Sequence, residues 1–171
     1  MKSFAYHNKQ YYNLFIKLTI YIDSSVIGGC FDDEFREISN QLLAIFMHGQ
    51  MLAMVSELTM VEIRSAPKNV QAALRSIPEA NLVRVELTQE ALRLAEFISE
   101  GVIHSANLLD AEHIAIATLN RADVLVSWNI KHIVNLRRIH GYNSVNLRHG
   151  YPLLEIRSPK EVVEYDESET I

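Results

Sequence analysis

The chain lacks most of what marks a secreted, membrane-bound or metal-stapled protein. It has one cysteine, Cys30, in 171 residues. A single thiol cannot close an internal disulfide, and nothing else has zinc-site spacing. The expected setting is therefore reducing and cytoplasmic. No apolar run approaches the roughly 20 residues that a membrane span needs. The N-terminal stretch Tyr6, His7, Asn8, Lys9, Gln10, Tyr11 and Tyr12 has no apolar signal-peptide core. Positive charge is not in excess either: the formal net charge is −5, which argues against simple electrostatic binding of nucleic acid. What remains is a chain that is 49% hydrophobic and free of low-complexity segments, enough for one domain with a real core.

Apolar strands alternate with amphipathic helices along that chain. Residues 17–22 (Lys-Leu-Thr-Ile-Tyr-Ile) are rich in β-branched and aromatic side chains, and their near-continuous apolarity predicts a central strand of a parallel sheet. Gly28 and Gly29 then break the chain. A helix is expected over 33–48 on the stripe Phe35, Ile38, Leu42, Ile45 and Phe46. A second strand at 51–55 leads to Ser56, the N-cap of a helix carrying Glu62 and stopped by Pro67. A short helix at 70–77, a strand at 81–87 and a helix at 89–100, capped by Thr88 and stopped by Gly101, come next. After a helix at 108–117 come a fourth strand at 123–126, a basic helical stretch from about Lys131 and a last strand at 153–156. This pattern predicts an α/β fold, a three-layer α/β/α sandwich on a mostly parallel sheet of about five strands. One domain over 16–158 accounts for it. Residues 1–15 form an extension, and 159–171 form an acidic tail that is at best partly helical.

The helix at 108–117 (Leu-Leu-Asp-Ala-Glu-His-Ile-Ala-Ile-Ala) is apolar nearly all round, the pattern of a buried helix. Asp110 therefore lies near the interior, where an unpaired charge is expensive. A cation, a hydrogen-bond donor or the helix's own N-terminus would satisfy it; in the last case Asn107 is the N-cap and Asp110 a short N3 residue. Ligands of open parallel sheets bind beyond the carboxyl ends of the strands, where strand order reverses. Asp23 directly follows the first strand, Glu62 sits about two turns into the helix after the second, and Asn129 directly follows the fourth. With the first and fourth strands as central neighbours, these residues and Asp110 converge at one edge. Clustered carboxylates repel unless a cation holds them, and hard oxygen donors without a His/Cys set point to Mg²⁺ or Mn²⁺. Each acid also has a structural reading: Asp23 accepting turn N–H bonds, Glu62 pairing with Arg64 or Lys68, Asp110 capping its helix.

Four segments carry a resemblance: Ile20-Tyr21-Ile22-Asp23-Ser24-Ser25, the run from Ser56 to Glu62, the run from Leu109 to Ala117, and the run from Ala122 through Ser127-Trp128-Asn129. In this order and spacing, over residues 18–156, the chain resembles the PIN-domain nucleases, most of all the VapC-like toxins of bacterial type II toxin–antitoxin pairs. The resemblance implies a metal-dependent endoribonuclease in which Asp23, Glu62 and Asp110 match the family's three acids. Asn129 stands where an Asp is common. It removes one negative charge from the metal site, yet still offers a carbonyl oxygen to the ion or to a metal-bound water. Ser127 matches a hydroxyl position that orients a neighbouring acid or the attacking water. The implied chemistry is phosphodiester hydrolysis by a metal-activated water without a covalent enzyme intermediate. The implied partners are RNA, a small antitoxin whose C-terminal segment enters the acidic cleft, and a second copy of the chain.

The remaining polar residues read more plainly. Glu112 falls on the far side of the helix from Asp110 and has a supporting role; His113 reads as a hydrogen-bonded core residue; Asp123 satisfies turn N–H groups; Trp128 packs in the core, with stacking on a base as its alternative. Residues 124–154 contain no acid but include Lys131, Arg137, Arg138 and Arg148, either an RNA-phosphate track leading into the site or a solvated helix face. Two other functions stand beside the nuclease. One is a PIN fold weakened by Asn129 that binds RNA or protein without cutting. The other is a phosphate-handling enzyme of a different α/β class, which the absence of a Gly-rich phosphate loop and of an Asp-x-Asp at the first strand end makes remote.

Overall fold

The structure, a computed structural model, describes residues 17–103 and 108–169. Its axis is β1 (Thr19–Ile22), in which Ile20, Tyr21 and Ile22 are fully buried. Successive strand side chains point to opposite faces, so Ile20 and Ile22 enter one apolar core and Tyr21 the other. Parallel to β1 on one side runs β2 (Leu52–Ser56), followed outward by β3 (Leu82–Val85). On the other side run β4 (Val124–Val126) and then β5 (Glu155–Arg157), so the order is β3-β2-β1-β4-β5 with every pair parallel.

The helices are α1 (Ser24–Gly29), α2 (Arg36–His48), α3 (Glu57–Arg64), α4 (Lys68–Arg75), α5 (Gln89–Ile98), α6 (Leu108–Leu119), α7 (Leu136–Arg148) and α8 (Pro159–Glu169). Ile27 of α1, Leu42 and Phe46 of α2, Leu74 of α4 and Val162 of α8 pack with Ile20 and Ile22. Leu94 and Ile98 of α5, Ile114 and Ile116 of α6 and Tyr142 of α7 pack with Tyr21. This is the three-layer α/β/α sandwich the sequence predicts. No helix among the described residues is long and apolar enough to cross a membrane.

Several local expectations are corrected. Gly28 and Gly29 do not break the chain; they end α1, and a Cβ on Gly29 would collide with Ser39 Oγ and lie 2.8 Å from Trp128 Nε1. Gly101 is not a left-handed stop. Beyond Ile98 the helix widens into a π turn over Ser99–Ile103, where a Cβ on Gly101 would meet Val145 at 3.2 Å and one on Gly141 would meet Val102 at 2.9 Å. The two glycines let this turn and α7 close on each other. The basic helix begins at Leu136 and not near Lys131, because Asn135 caps it, accepting the Arg138 N–H at 3.2 Å. Residues from 159 form no tail but α8, with Val162 and Val163 in the core. A reciprocal capping box starts it: Glu161 accepts the Ser158 N–H at 2.8 Å, and Ser158 Oγ accepts the Glu161 N–H at 3.4 Å. The extension at 1–15 and Asn107 lie outside the described residues.

Strand order reverses between β1 and β4, so the crevice beyond their carboxyl ends is where such a sheet binds ligands. The register pairs Ile22 with Val126. Asp23 and Ser127, the next residue of each strand, therefore emerge side by side.

Candidate active site

Register alone brings the first two site residues together. Ser127 Oγ donates to Asp23 Oδ2 at 2.6 Å, with both residues buried. The other oxygen, Oδ1, accepts the Ser25 N–H at 3.1 Å and the Ser25 hydroxyl at 2.5 Å, which makes Asp23 the N-cap of α1. Asp23 thus satisfies turn N–H groups and faces the crevice at once, and its two readings are compatible. Ser25 Oγ also accepts the Trp128 N–H at 3.0 Å, tying α1 to the segment after β4.

That segment reaches the second acid. Ser127 Oγ accepts the Asn129 N–H at 2.9 Å, and Asn129 Nδ2 donates to Asp110 Oδ1 at 3.0 Å. The Asn129 oxygen is engaged elsewhere, accepting the His132 N–H at 3.1 Å. Flipping the amide would set two donors against each other, so its orientation is fixed by that backbone N–H. Asn129 thus presents N–H to the site as a partner of Asp110, while the oxygen expected to serve an ion accepts the His132 N–H. Burial pushes the Asp110 carboxyl above its ordinary range; His132, His113 and the Asn129 amide counter this, and Asp23 adds to it.

Glu62, two turns into α3, is half-buried. It pairs with neither Arg64 nor Lys68 and faces His113 of α6 instead. Glu62 Oε2 is shut off from solvent 3.3 Å from His113 Nε2, yet accepts no well-formed hydrogen bond among the described residues. Burial would raise its carboxyl, but His113 and Ser24 outweigh burial and hold it below the ordinary value. His113 Nδ1 lies 2.7 Å from Tyr21 Oη, which lies 2.8 Å from Ser56 Oγ. Ser56 caps α3 by accepting the Thr59 N–H at 3.2 Å. The donors run consistently in one sense, Ser56 to Tyr21 to His113, which leaves Nε2–H for the Glu62 carboxylate. Burial pushes the Tyr21 hydroxyl far up, so it stays protonated and able to donate. His113 is therefore the hydrogen-bonded core residue expected of it, with a carboxylate at its other end.

Among the described residues, no three His, Cys, Asp or Glu side chains stand close enough together to hold a metal ion. The hard-oxygen donors are nonetheless grouped at one edge, and Asp110 senses the charge of Asp23.

No family model and no curated protein sequence matches the chain. Solved structures do. VapBC2 from Rickettsia felis, bound to a DNA fragment of its promoter, superposes with a TM-score of 0.52 at 11% identity, covering 82% of this chain and 98% of that one. DNA-bound VapBC from Salmonella typhimurium gives 0.51 at 12% identity, over 83% and 98%. Mycobacterium tuberculosis VapC20, a sarcin–ricin loop cleaving toxin, gives 0.51 at 14% identity, over 66% and 91%. The chain has a VapC-like PIN fold.

Within the VapC-like fold the basic residues separate. Lys131 lies exposed in the loop after β4, and Arg137 and Arg138 lie in the first turn of α7. Arg138 Nη1 contacts His132 Nδ1 at 2.9 Å. Arg148 sits ten residues beyond Arg138, roughly 15 Å along the helix axis, and does not join the site. Trp128 is not in either core as expected but half-buried beside them, stacking on Phe35 with centroids 4.3 Å apart and donating Nε1–H to Ser39 Oγ at 2.8 Å. Asp123 Oδ2 accepts the Thr19 N–H at 2.7 Å, the turn role expected of it. Glu112 is buried, and burial raises its carboxyl. Sequence reasoning missed the site roles of Tyr21, Ser25 and His132. For Ser25 a signal existed, since an Asp-x-Ser after a strand is a ready turn cap; for Tyr21 and His132 none did.

Proposed function

We propose that the chain is a metal-dependent endoribonuclease, the toxin of a type II toxin–antitoxin pair. The observation that carries this reading is that one short segment links two acids from distant parts of the chain. Ser127 donates to Asp23 at 2.6 Å and Asn129 donates to Asp110 at 3.0 Å, at the switch point of the sheet. RNA enters through the resemblance in sequence, supported by the VapC-like fold, one of whose solved examples is named as a sarcin–ricin loop cleaving toxin. An antitoxin partner enters through the solved VapBC pairs, and a homodimer through the resemblance in sequence.

The donor chemistry suits Mg²⁺ or Mn²⁺: carboxylate oxygens without a sulfur ligand, one of them, Glu62 Oε2, buried and without a well-formed hydrogen bond among the described residues. Asp23 and Asp110, linked through Ser127 and Asn129, would supply the ion's first ligands, and Glu62 would join only by moving toward them. When bound, it supplies a water of lowered pKa and neutralises charge on the phosphate. Ser127 keeps Asp23 oriented, Asn129 keeps Asp110 in place without adding charge, and His113 holds Glu62 ionised. Lys131 and Arg137 lie on the same edge to attract the phosphate chain.

The lack of a three-acid cluster among the described residues and the amide at 129 favour a second reading, a weakened domain that binds RNA or protein without cutting. One experiment separates the two. Purified protein free of antitoxin is incubated with total cellular RNA in Mg²⁺, Mn²⁺ or EDTA, beside Asp23→Asn and Asp110→Asn. Discrete cuts that need metal and vanish in both variants are expected; a folded wild type that binds Mn²⁺ and cuts nothing leaves the binding module.

A further inference from the structure

We propose that His132 is a substrate-contacting residue, its Nε2–H donating to a non-bridging phosphate oxygen of the RNA beside Asp110, and that Arg138 is the positioning residue that fixes its tautomer. The ligand class rests on the nuclease reading; the donor stands on the geometry of the segment from Trp128 to Tyr142.

A guanidinium has donors only. Arg138 Nη1 lies 2.9 Å from His132 Nδ1, so Nδ1 is the acceptor and the proton of the neutral ring sits on Nε2. The rest of His132 is also held. Its N–H donates to Asn129 Oδ1 at 3.1 Å, and its C=O accepts from Tyr142 Oη at 2.5 Å. The loop around it is closed by the Ile133 and Val134 N–H groups, both donating to Asn129 O at 2.9 and 3.0 Å. Nε2–H is then the one polar group of His132 without a partner among the described residues. A side chain fixed through every other polar atom is preorganised, so little ordering opposes its use in binding.

Position selects the ligand. The Asn129 amide bridges the two residues, its Oδ1 accepting the His132 N–H at 3.1 Å while its Nδ2 donates to Asp110 Oδ1 at 3.0 Å, so His132 sits one side chain from that carboxylate. Arg138 contacts the ring at Nδ1 and the exposed Lys131 is the preceding residue, in a stretch from Val124 to Leu154 that contains no acid. A donor between an acidic crevice and a cationic rim suits the chain of phosphates that must cross both.

The test uses the full chain with histidine labelled by ¹⁵N and a single-stranded RNA, in EDTA and again in Ca²⁺. Nitrogen spectra are expected to show His132 protonated at Nε2 and bare at Nδ1, with Nε2 shifting on RNA addition, and Arg138→Met mixing the tautomers. His132→Asn, whose amide oxygen can take the place of Nδ1 and keep Arg138 but which has no donor at the place of Nε2, weakens RNA binding by about tenfold or more, the loss of one hydrogen bond to a charged group. His132→Gln, whose amide nitrogen reaches the place of Nε2, weakens it by less than about threefold. Equal losses in both variants, no loss in either, an Nε2 signal unmoved by RNA, or the same response to poly-glutamate would overturn the proposal. RNA cutting is followed in parallel. Cutting without this pattern removes the His132 contact and leaves the nuclease; the pattern without cutting keeps the contact and removes the nuclease.

Discussion

Replacing Tyr21 by Phe removes one buried oxygen and almost nothing else. The ring keeps its place among Met54, Leu125 and Ile114, and its edge contact with His113 at a centroid distance of 5.7 Å. The two neighbours of the lost hydroxyl fare differently. Ser56 Oγ still has the Thr59 N–H and Thr59 Oγ1, both at 3.2 Å. His113 Nδ1 has no second partner among the described residues, so the imidazole of a buried residue is left with a bare acceptor. An orphaned buried acceptor costs about 1–3 kcal/mol, whereas losing both partners together would cost far less. With a urea m-value on the order of 2 kcal/mol/M, ~2 kcal/mol lowers the denaturation midpoint by about 1 M. In a thermal scan the same loss is about 4–8 °C. Urea melts followed by circular dichroism and by Trp128 fluorescence measure it, with Tyr151→Phe as the control, since Tyr151 Oη donates to Glu90 on the surface. A loss below about 0.5 kcal/mol at unchanged m, or an equal loss in the control, would refute the claim that Tyr21 anchors His113.

Asp110→Asn keeps an oxygen for Asn129 Nδ2 and removes a carboxylate whose pKa burial raises. An acid raised on folding loses stability as pH climbs through its folded pKa, so in EDTA the variant should melt above wild type at pH 7, and the gap should close as pH falls through the carboxylate range. Glu62 is the opposite case: its depressed carboxyl contributes stability above the unfolded pKa that is lost as pH falls through the folded one, so Glu62→Gln should flatten the acid limb of the stability curve; an unchanged limb would count against the His113 contact. Gly29→Ala drives a Cβ into Ser39 and Trp128 and should cost about 1–3 kcal/mol with a shift in tryptophan emission, whereas Gly28→Ala, with open space, should not. Asn129→Asp sets a second charge against Asp110 in place of an N–H donor; it should lower the melting point in EDTA and enlarge the rise on adding Mn²⁺, and an unchanged response to Mn²⁺ would speak against an ion at this edge.

The backbone of this site was legible wherever one strong physical term decides the outcome. Unbroken apolarity put β1 at the centre of a parallel sheet, and once β4 is its neighbour, register alone sets Asp23 beside Ser127. Helix starts at Ser56 and Thr88 were readable because a single side-chain oxygen decides each. The same logic was present at Ser158, where Ser-x-x-Glu begins α8; the acidity of residues 161–169 hid it, although Val162 and Val163 supply the buried contact. Gly101 misled because a glycine at a helix end serves either a left-handed turn or close packing, and only the neighbour, Val145, tells which. No pattern in the sequence could show contacts that depend on which side chain lies across a layer. Tyr21 meets His113 because an odd-numbered strand position and the fourth residue after Leu109 on α6 happen to share one core.

Three acids of similar intrinsic acidity end up in three different states of support. Asp23 is surrounded by hydroxyl and N–H donors, Glu62 is held ionised by an imidazole, and Asp110 has one neutral amide and a carboxyl pushed up by burial. Separate environments are how chemically alike groups come to play separate parts in one reaction. The amide at 129 fits this division. A fourth carboxylate there would repel Asp110 by an amount on the order of a few kcal/mol before solvent screening; Asn129 turns that repulsion into a 3.0 Å hydrogen bond. The edge can therefore fold without a cation. Of the three acids, Asp110 has the most to gain from one, because burial opposes its charge. A cation arriving at this edge would offset the burial that opposes the Asp110 charge, and the neutral amide at 129 leaves room for it.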